Sequence, residues 1–222
     1  MKARRMPQKL KIDFVSDVSC PWCIIGLRGL ETALENLKGE VSAEIHFQPF
    51  ELNPQMGPEG QNIVEHIGQK YGSTPDQSAE ARKMIRLRAA DLGFEMRMNE
   101  ESRIYNTFDA HRLLHWAEGE GAGKQAALKH ALFSAYFTEG RNMSDSEVLI
   151  AEVERVGLDP KRARAILQST EYADAVRAQQ KFYREQGIHA VPAIVINERY
   201  LISGGQPVAT FEKALKEIAA AA

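Results

Sequence analysis

Cysteine is scarce in this chain, with two among 222 residues, too few for a disulfide framework to hold up a fold of this length. Both fall in one turn, Cys20-Pro21-Trp22-Cys23, so they serve reactivity, metal binding or packing. Long apolar runs are missing as well: no window approaches the roughly 20 residues that a membrane span needs. The basic start, Met1-Lys2-Ala3-Arg4-Arg5-Met6-Pro7, leads into Gln8-Lys9 with no apolar stretch behind it. The core of a secretory signal is therefore lacking, and a cytoplasmic location is expected. Nor is there an excess of one charge. The 28 Lys and Arg against 30 Asp and Glu leave a formal net charge of -2, which gives no electrostatic footprint for nucleic acid or an anionic membrane surface. No repeat stands out at a fixed period, and the only low-complexity tract is Ala219 to Ala222, read as helix or a fraying end.

What is present is an ordinary globular composition, 44% hydrophobic and 26% charged, in a chain long enough to bury a sizeable core. From Leu10 to Val18 apolar residues alternate and β-branched and aromatic types abound, as in a strand. After Pro21 the spacing turns helical, with Ile24, Leu27, Leu30 or Glu31, Leu34 and Leu37 on one face and Gly39 at the stop. Val41 to Phe50 predicts a second strand, closed by a loop at Asn53-Pro54 and Gly57-Pro58. Strand, helix, strand implies a right-handed crossover with the two strands parallel. From about Gln61 to Gln186 only helix-period segments occur. Thr74-Pro75-Asp76 opens one that closes near Gly93. Ser144-Asp145-Ser146-Glu147 has the form of a capping box for another, ending at Gly157. Asp159-Pro160 starts a third, and Tyr172, Val176, Gln179 or Gln180 and Tyr183 carry the last to Gly187. Strand character returns in Ala193 to Asn197, turns at Glu198-Arg199, and resumes from Tyr200 to Ser203 as a hairpin. A final helix begins near Pro207, with Phe211, Leu215 and Ile218 on its inner stripe.

Three motifs in this order carry a resemblance: Ser19-Cys20-Pro21-Trp22-Cys23 after a strand, His189-Ala190-Val191-Pro192-Ala193 before another, and Ile202-Ser203-Gly204-Gly205-Gln206-Pro207 near the end. Together they resemble the DsbA family of thioredoxin-like oxidoreductases, and within it the FrnE-like branch, over nearly the whole chain. The resemblance implies an α/β thioredoxin-like fold, βαβ then ββα, interrupted by an all-helical insertion. The expected boundaries are residues 1–60 and 187–222 for the thioredoxin-like domain and 61–186 for the insertion. It further implies that Val191-Pro192 is a cis peptide facing the cysteines, with backbone groups beside it that pair with an extended substrate. The sequence by itself favours trans at such a bond.

A thiol-disulfide exchanger needs one reactive thiolate and a second thiol close enough to resolve the mixed disulfide. C-x-x-C at a helix start supplies both. Cys20 stands at the cap, where unpaired amides and the positive end of the helix dipole favour a negative sulfur, and Cys23 lies a turn inside. Cys20 is thus the expected nucleophile and Cys23 the resolving thiol. Pro21 suits a first helical position, and Trp22 adds no charge. Two other readings remain open. The cysteines could be small buried hydrophobes, or they could bind structural zinc with His111 and His115, which stand at i, i+4 on a predicted helix.

Weaker candidates complete the set. Asp17 is either a buried acid that takes part in resolution or a strand-end cap for the next turn. His111 and Asn106 lie in a stretch that resembles one covering the active site in FrnE-like proteins, with His111 bordering Cys20 or buried between domains. Asn53 is either a plain turn asparagine or stands in the loop where glutathione-binding relatives hold their ligand, and the Gly204, Gly205, Gln206 turn is expected to shape the cleft with Val191 and Pro192. Phe133, Tyr136 and Phe137 read as core. The expected function is disulfide exchange with protein thiols or with small thiols such as glutathione, without metal or organic cofactor, nucleic acid or membrane, and with a homodimer as one assembly. The rivals are a glutathione-dependent isomerase or transferase, like the 2-hydroxychromene-2-carboxylate isomerases and kappa-class transferases, and a zinc-stabilised, chaperone-like binding protein. Such isomerases and transferases generally carry serine at the position of Cys20 and lack the second cysteine, so the paired thiols favour redox work.

Overall fold

The computed structural model describes residues 9–221; the basic start up to Gln8, and Ala222, lie outside them, so the reading of the N-terminus as lacking a signal rests on sequence. A four-stranded mixed sheet runs in the order β2-β1-β5-β6. Its inner strand β1 (Lys9–Ser16) is buried on both faces from Ile12 onward, as expected of a strand with neighbours on either side and layers above and below. Helix α1 (Pro21–Asn36) crosses to β2 (Ser42–Pro49), which lies parallel to β1 with Ile12 opposite Ile45 and Phe14 opposite Phe47. On the other side β5 (Ala193–Ile196) runs antiparallel to β1, and β6 (Tyr200–Ser203) closes the hairpin. The last helix, α9 (Val208–Ala221), packs on α1. This is the α/β thioredoxin-like arrangement that the motif order implied.

Between β2 and β5 the chain forms β3 (Gln61–Asn62), α2 (Ile63–Tyr71), α3 (Pro75–Asp91), β4 (Arg103–Ile104), α4 (Phe108–Glu118), α5 (Lys124–Phe137), α6 (Ser146–Arg155), α7 (Pro160–Leu167) and α8 (Ala173–Glu185). The local chemistry fixes several of these starts. Thr74 and Gln77 form a reciprocal capping box with Pro75 at the first position of α3, and Asp159 caps α7 ahead of Pro160. Three sequence expectations need correction. The segment holds one two-residue strand pair, β3 with β4, too short to leave an alternation pattern. The cap of α6 is Asp145, whose carboxylate accepts from the Glu147 amide at 2.8 Å, while the Ser144 hydroxyl is drawn away to the Asn106 carbonyl at 3.1 Å. And β1 stops at Ser16, short of Val18, because the Asp17 carboxylate turns the chain by accepting from the Ser19 amide.

One apolar core runs from the sheet into the helices. Leu10, Ile12 and Phe14 of β1 meet Leu27 and Leu30 of α1, Phe211 of α9, and the α5 residues Leu128, Leu132, Phe133 and Phe137 in a single cluster. Each such side chain contributes about 1.5–3 kcal/mol by leaving water. Helices α4, α5 and α8 pack against β2, so the helical segment is built onto the edge of the sheet. Arg112 of α4 acts as a buried clamp: it donates to the backbone carbonyls of Ile166, Ser169 (2.6 Å) and Glu171 (2.9 Å), tying the α7–α8 connection to α4. No helix among the described residues is long and apolar enough to cross a membrane.

Candidate active site

Strand β1 delivers the chain to the cysteine turn, and the turn is the start of α1. Cys20 is the N-cap, in extended conformation (φ -90°, ψ 114°), and Pro21 occupies the first helical position, where its missing N–H leaves nothing unpaired. No acidic residue stands in the first turn, so nothing competes with the Cys20 sulfur for the positive end of the helix. Both cysteines are free thiols. Cys20 is 4% exposed and lines a cleft of about 820 Å³, whereas Cys23 is fully buried beneath it. The Cys20 sulfur is therefore approached through this cleft. Burial pushes the Cys23 thiol well above the usual cysteine range, and the neighbouring Cys20 sulfur pushes it further.

The Val191–Pro192 peptide is cis, and the Val191 carbonyl accepts from the Cys20 thiol at 3.6 Å. Behind it the packing is tight. A methyl group at Gly26 would come 3.0 Å from Pro192 Cγ and 3.3 Å from Gly205 Cα, and one at Gly205 would come 3.0 Å from the Trp22 carbonyl. Gly204, at φ +80°, donates its amide to the Pro192 carbonyl at 2.8 Å, and Gln206 donates from Nε2 to the Ser203 carbonyl. Val191 lines the cleft; Pro192, Gly204, Gly205 and Gln206 do not, and back the helix start instead. Trp22 and Asn53 both line the cleft, with Trp22 37% exposed under the Arg88 guanidinium.

Beneath the sulfurs lies a buried polar set. Asp17, 1% exposed, accepts from the amides of Leu52 (2.7 Å) and Ser19 (3.3 Å) and meets His111 Nε2 at 3.5 Å. Burial pushes its carboxyl up, but hydrogen bonds from His111, the Leu52 amide and Thr107 outweigh that and hold it below the usual range. Turn cap and buried acid are therefore the same residue. His111 also faces the Phe50 carbonyl at 3.0 Å; both partners of Nε2 are acceptors, so that nitrogen carries a proton. His111 is 2% exposed and does not line the cleft, so it borders Asp17 and the Phe50 loop instead of the Cys20 surface. Asn106 donates to the Met56 carbonyl and caps the Phe108 amide, a structural post. His115 pairs with Gln179 at 3.3 Å. Among the described residues no group of three or more His, Cys, Asp or Glu is arranged to hold a metal ion, so Cys20, Cys23, His111 and His115 do not form the zinc set.

Sequence reasoning missed Lys129, Lys70 and Gly26. Lys129, on α5, is 1% exposed, with its ammonium 4.9 Å from the Phe133 ring centre and 6.0 Å from that of Phe47. Burial brings it down to about 8, against the upward pull of Cys23, Asp17 and Cys20. A lysine within the apolar stripe Leu128, Leu132, Phe133 was the signal for it. Lys70 lines the cleft, donating to the Leu52 carbonyl (2.9 Å) and Asn53 Oδ1 (2.7 Å), and burial lowers its pKa against the upward pull of Asp17 and Cys20.

Residues 11–216 match the family model described as the DSBA-like thioredoxin domain. The uncharacterized protein YwbO of Bacillus subtilis is 29% identical over 207 residues, 93% of this chain and 96% of that protein. Among solved structures, the probable DsbA oxidoreductase SCO1869 of Streptomyces coelicolor is 31% identical, with a TM-score of 0.87 over 94% of this chain and 89% of that one. A 2-hydroxychromene-2-carboxylate isomerase shares the fold at 17% identity, with a TM-score of 0.67 over 94% and 95%.

Proposed function

This chain belongs to the DSBA-like thioredoxin domain family, and from that premise we propose that it is a thiol-disulfide oxidoreductase working through Cys20 and Cys23. The observation that carries the reading is the placement of two free thiols at one helix start, one facing a cleft and the other sealed beneath it. The Cys20 thiolate attacks a substrate disulfide, forming a Cys20–substrate disulfide as the substrate S–S bond breaks; the departing thiolate takes a proton from water. Cys23 then loses its proton and attacks Cys20 Sγ, releasing the second substrate thiol. Two electrons pass from the dithiol to the substrate, leaving a Cys20–Cys23 disulfide that an external thiol reduces; with the oxidised enzyme the same steps run in reverse.

The surroundings suit each step. The positive end of the α1 dipole favours the attacking anion. The Val191 carbonyl offers an acceptor for the amide of an extended substrate, which makes peptide disulfides and glutathione both admissible. The sealed position of Cys23 suits a thiol that reacts only with its neighbour, and the Lys129 cation offsets the charge that Cys23 acquires on losing its proton. We place the activity in a reducing, cytoplasmic setting, where the pair is held as the dithiol and the protein serves as reductase or isomerase. An insulin-reduction assay on wild type and Cys20→Ser tests the assignment: exchange disappears in the variant, and full activity without Cys20 refutes the mechanism.

A further inference from the structure

The cleft beside Cys20 is shaped for more than a peptide backbone. Its inner wall is Ile63, Ile67, Ile85, Met96, Met98 and Ile104, contributed by α2, α3, β4 and the segment between the last two. Backbone N–H and C=O groups pushed into such a space would go unpaired, while a hydrocarbon chain or ring would lose water at no such cost. At about 820 Å³ the space falls within the range of small-molecule sites, roughly 300–1,000 Å³.

Among the Lys, Arg, Asp and Glu residues that line the cleft, cations outnumber carboxylates three to one. Lys70, Arg82 and Arg184 all line it. Lys70 is bonded to neutral oxygens of Leu52 and Asn53, Arg82 to the Ser78 hydroxyl at 2.6 Å, and Arg184 lies over the Phe50 ring at 5.5 Å. The one carboxylate in the lining, Glu51, is 4% exposed and accepts from Gln180 Nε2 at 3.0 Å. The two α2–α3 cations also sit differently with respect to the sulfur. Lys70 is held at Leu52 and Asn53, where the Leu52 amide also binds Asp17, three residues before Cys20; Arg88 lies over the ring of Trp22, and Arg82, six residues earlier on α3, stands about 9 Å away along the helix. Arg82 therefore marks the end of the cleft remote from the thiol.

We propose that the cleft binds a small amphipathic thiol or disulfide, with its sulfur at Cys20, an apolar body against the Ile and Met wall, and a carboxylate or similar anion at Arg82. This deepens the dithiol reading and rests on it. A dithiol of this class reduces the oxidised enzyme in two exchanges. One substrate thiolate opens the Cys20–Cys23 disulfide at Cys20, and its second thiol displaces Cys20, so that two electrons and two protons pass to the protein and the substrate becomes a cyclic disulfide.

Dihydrolipoate and its neutral amide, dihydrolipoamide, separate the sources of affinity, since they share sulfurs and hydrocarbon and differ in the anion. The oxidised protein is mixed with each in a stopped-flow instrument and followed by tryptophan fluorescence, with rates normalised to those with the neutral thiol 2-mercaptoethanol. The acid reacts about tenfold faster than the amide in wild type. In Arg82→Gln that preference drops to about twofold or less, and 1 M salt erodes it in wild type because the attraction is screened. A wild-type preference near one, or a preference untouched by Arg82→Gln, overturns the proposal. Dithiothreitol, small, neutral and without an apolar tail, keeps the two levels apart: if it also fails to reduce the protein through Cys20, the dithiol function itself fails, whereas normal reduction by dithiothreitol with no acid preference removes only the ligand class.

Discussion

Replacing Lys129 with methionine exchanges a sealed ammonium for an apolar chain of similar length, and the structure fixes the size and pH dependence of the effect. Lys129 is brought from 10.5 to about 8 chiefly by burial, a difference of about 3 kcal/mol at 1.36 kcal/mol per pH unit. Below pH 8 the group is charged in both folded and unfolded chains, and the folded state bears the whole cost. Between pH 8 and 10.5 the folded protein sheds the proton before the unfolded chain does, so the unfolded state binds more protons and stability rises with pH. Above that range the cost is gone. Lys129→Met is therefore expected to be more stable than its parent by about 1–3 kcal/mol at pH 7, the lower end allowing for the lost contacts to Phe133 and Phe47. The gain shrinks towards zero by pH 10.5. Urea unfolding of both proteins, each carrying Cys20→Ser and Cys23→Ser so that no thiol titrates, reads the difference directly. A variant less stable than its parent at pH 7, or a difference that does not change with pH, would mean that Lys129 carries no burial cost in the folded protein.

In the dithiol protein the same Lys129→Met change should slow resolution by about tenfold, seen as a mixed disulfide that persists in quenched-flow samples, because Cys23 loses the cation that offsets its thiolate. Gly26→Ala forces a methyl group to within 3.0 Å of Pro192 and is expected to cost about 1–3 kcal/mol, measured by denaturant midpoint, and to lower the exchange rate. Arg112→Met leaves the carbonyls of Ile166, Ser169 and Glu171 without their donor and should destabilise the protein by about 3–5 kcal/mol, read by thermal unfolding, since the clamp is buried.

The sheet and its motifs were legible in the sequence because their signals are local. Alternation in Leu10 to Ser16, the proline after Cys20 and the turn at Glu198-Arg199 each mark an element within a few residues. Cys20 and Cys23 could be paired by spacing alone, and the Thr74 cap by its proline. What the sequence hid depends on contacts between distant segments. Nothing local says that the Gly26 face of α1 must admit Pro192, or that Ser144 would turn its hydroxyl to Asn106 and leave the cap to Asp145. His111 was visible as a candidate, but its partners, Phe50 and Asp17, come from other elements and turn it towards the buried acid. The cleft is the extreme case: its wall collects α2, α3 and β4, which carry no shared pattern in the chain.

In the proposed exchange Cys20 captures a substrate sulfur and Cys23 releases it. Intact-mass and peptide mapping of Cys23→Ser after exposure to oxidised glutathione tests this most directly. The expected product is one glutathione per chain, joined to Cys20 and stable for want of a resolving thiol, with no adduct in Cys20→Ser under the same conditions. An adduct on Cys23 in Cys20→Ser formed at the same rate, or no adduct at Cys20, would contradict it.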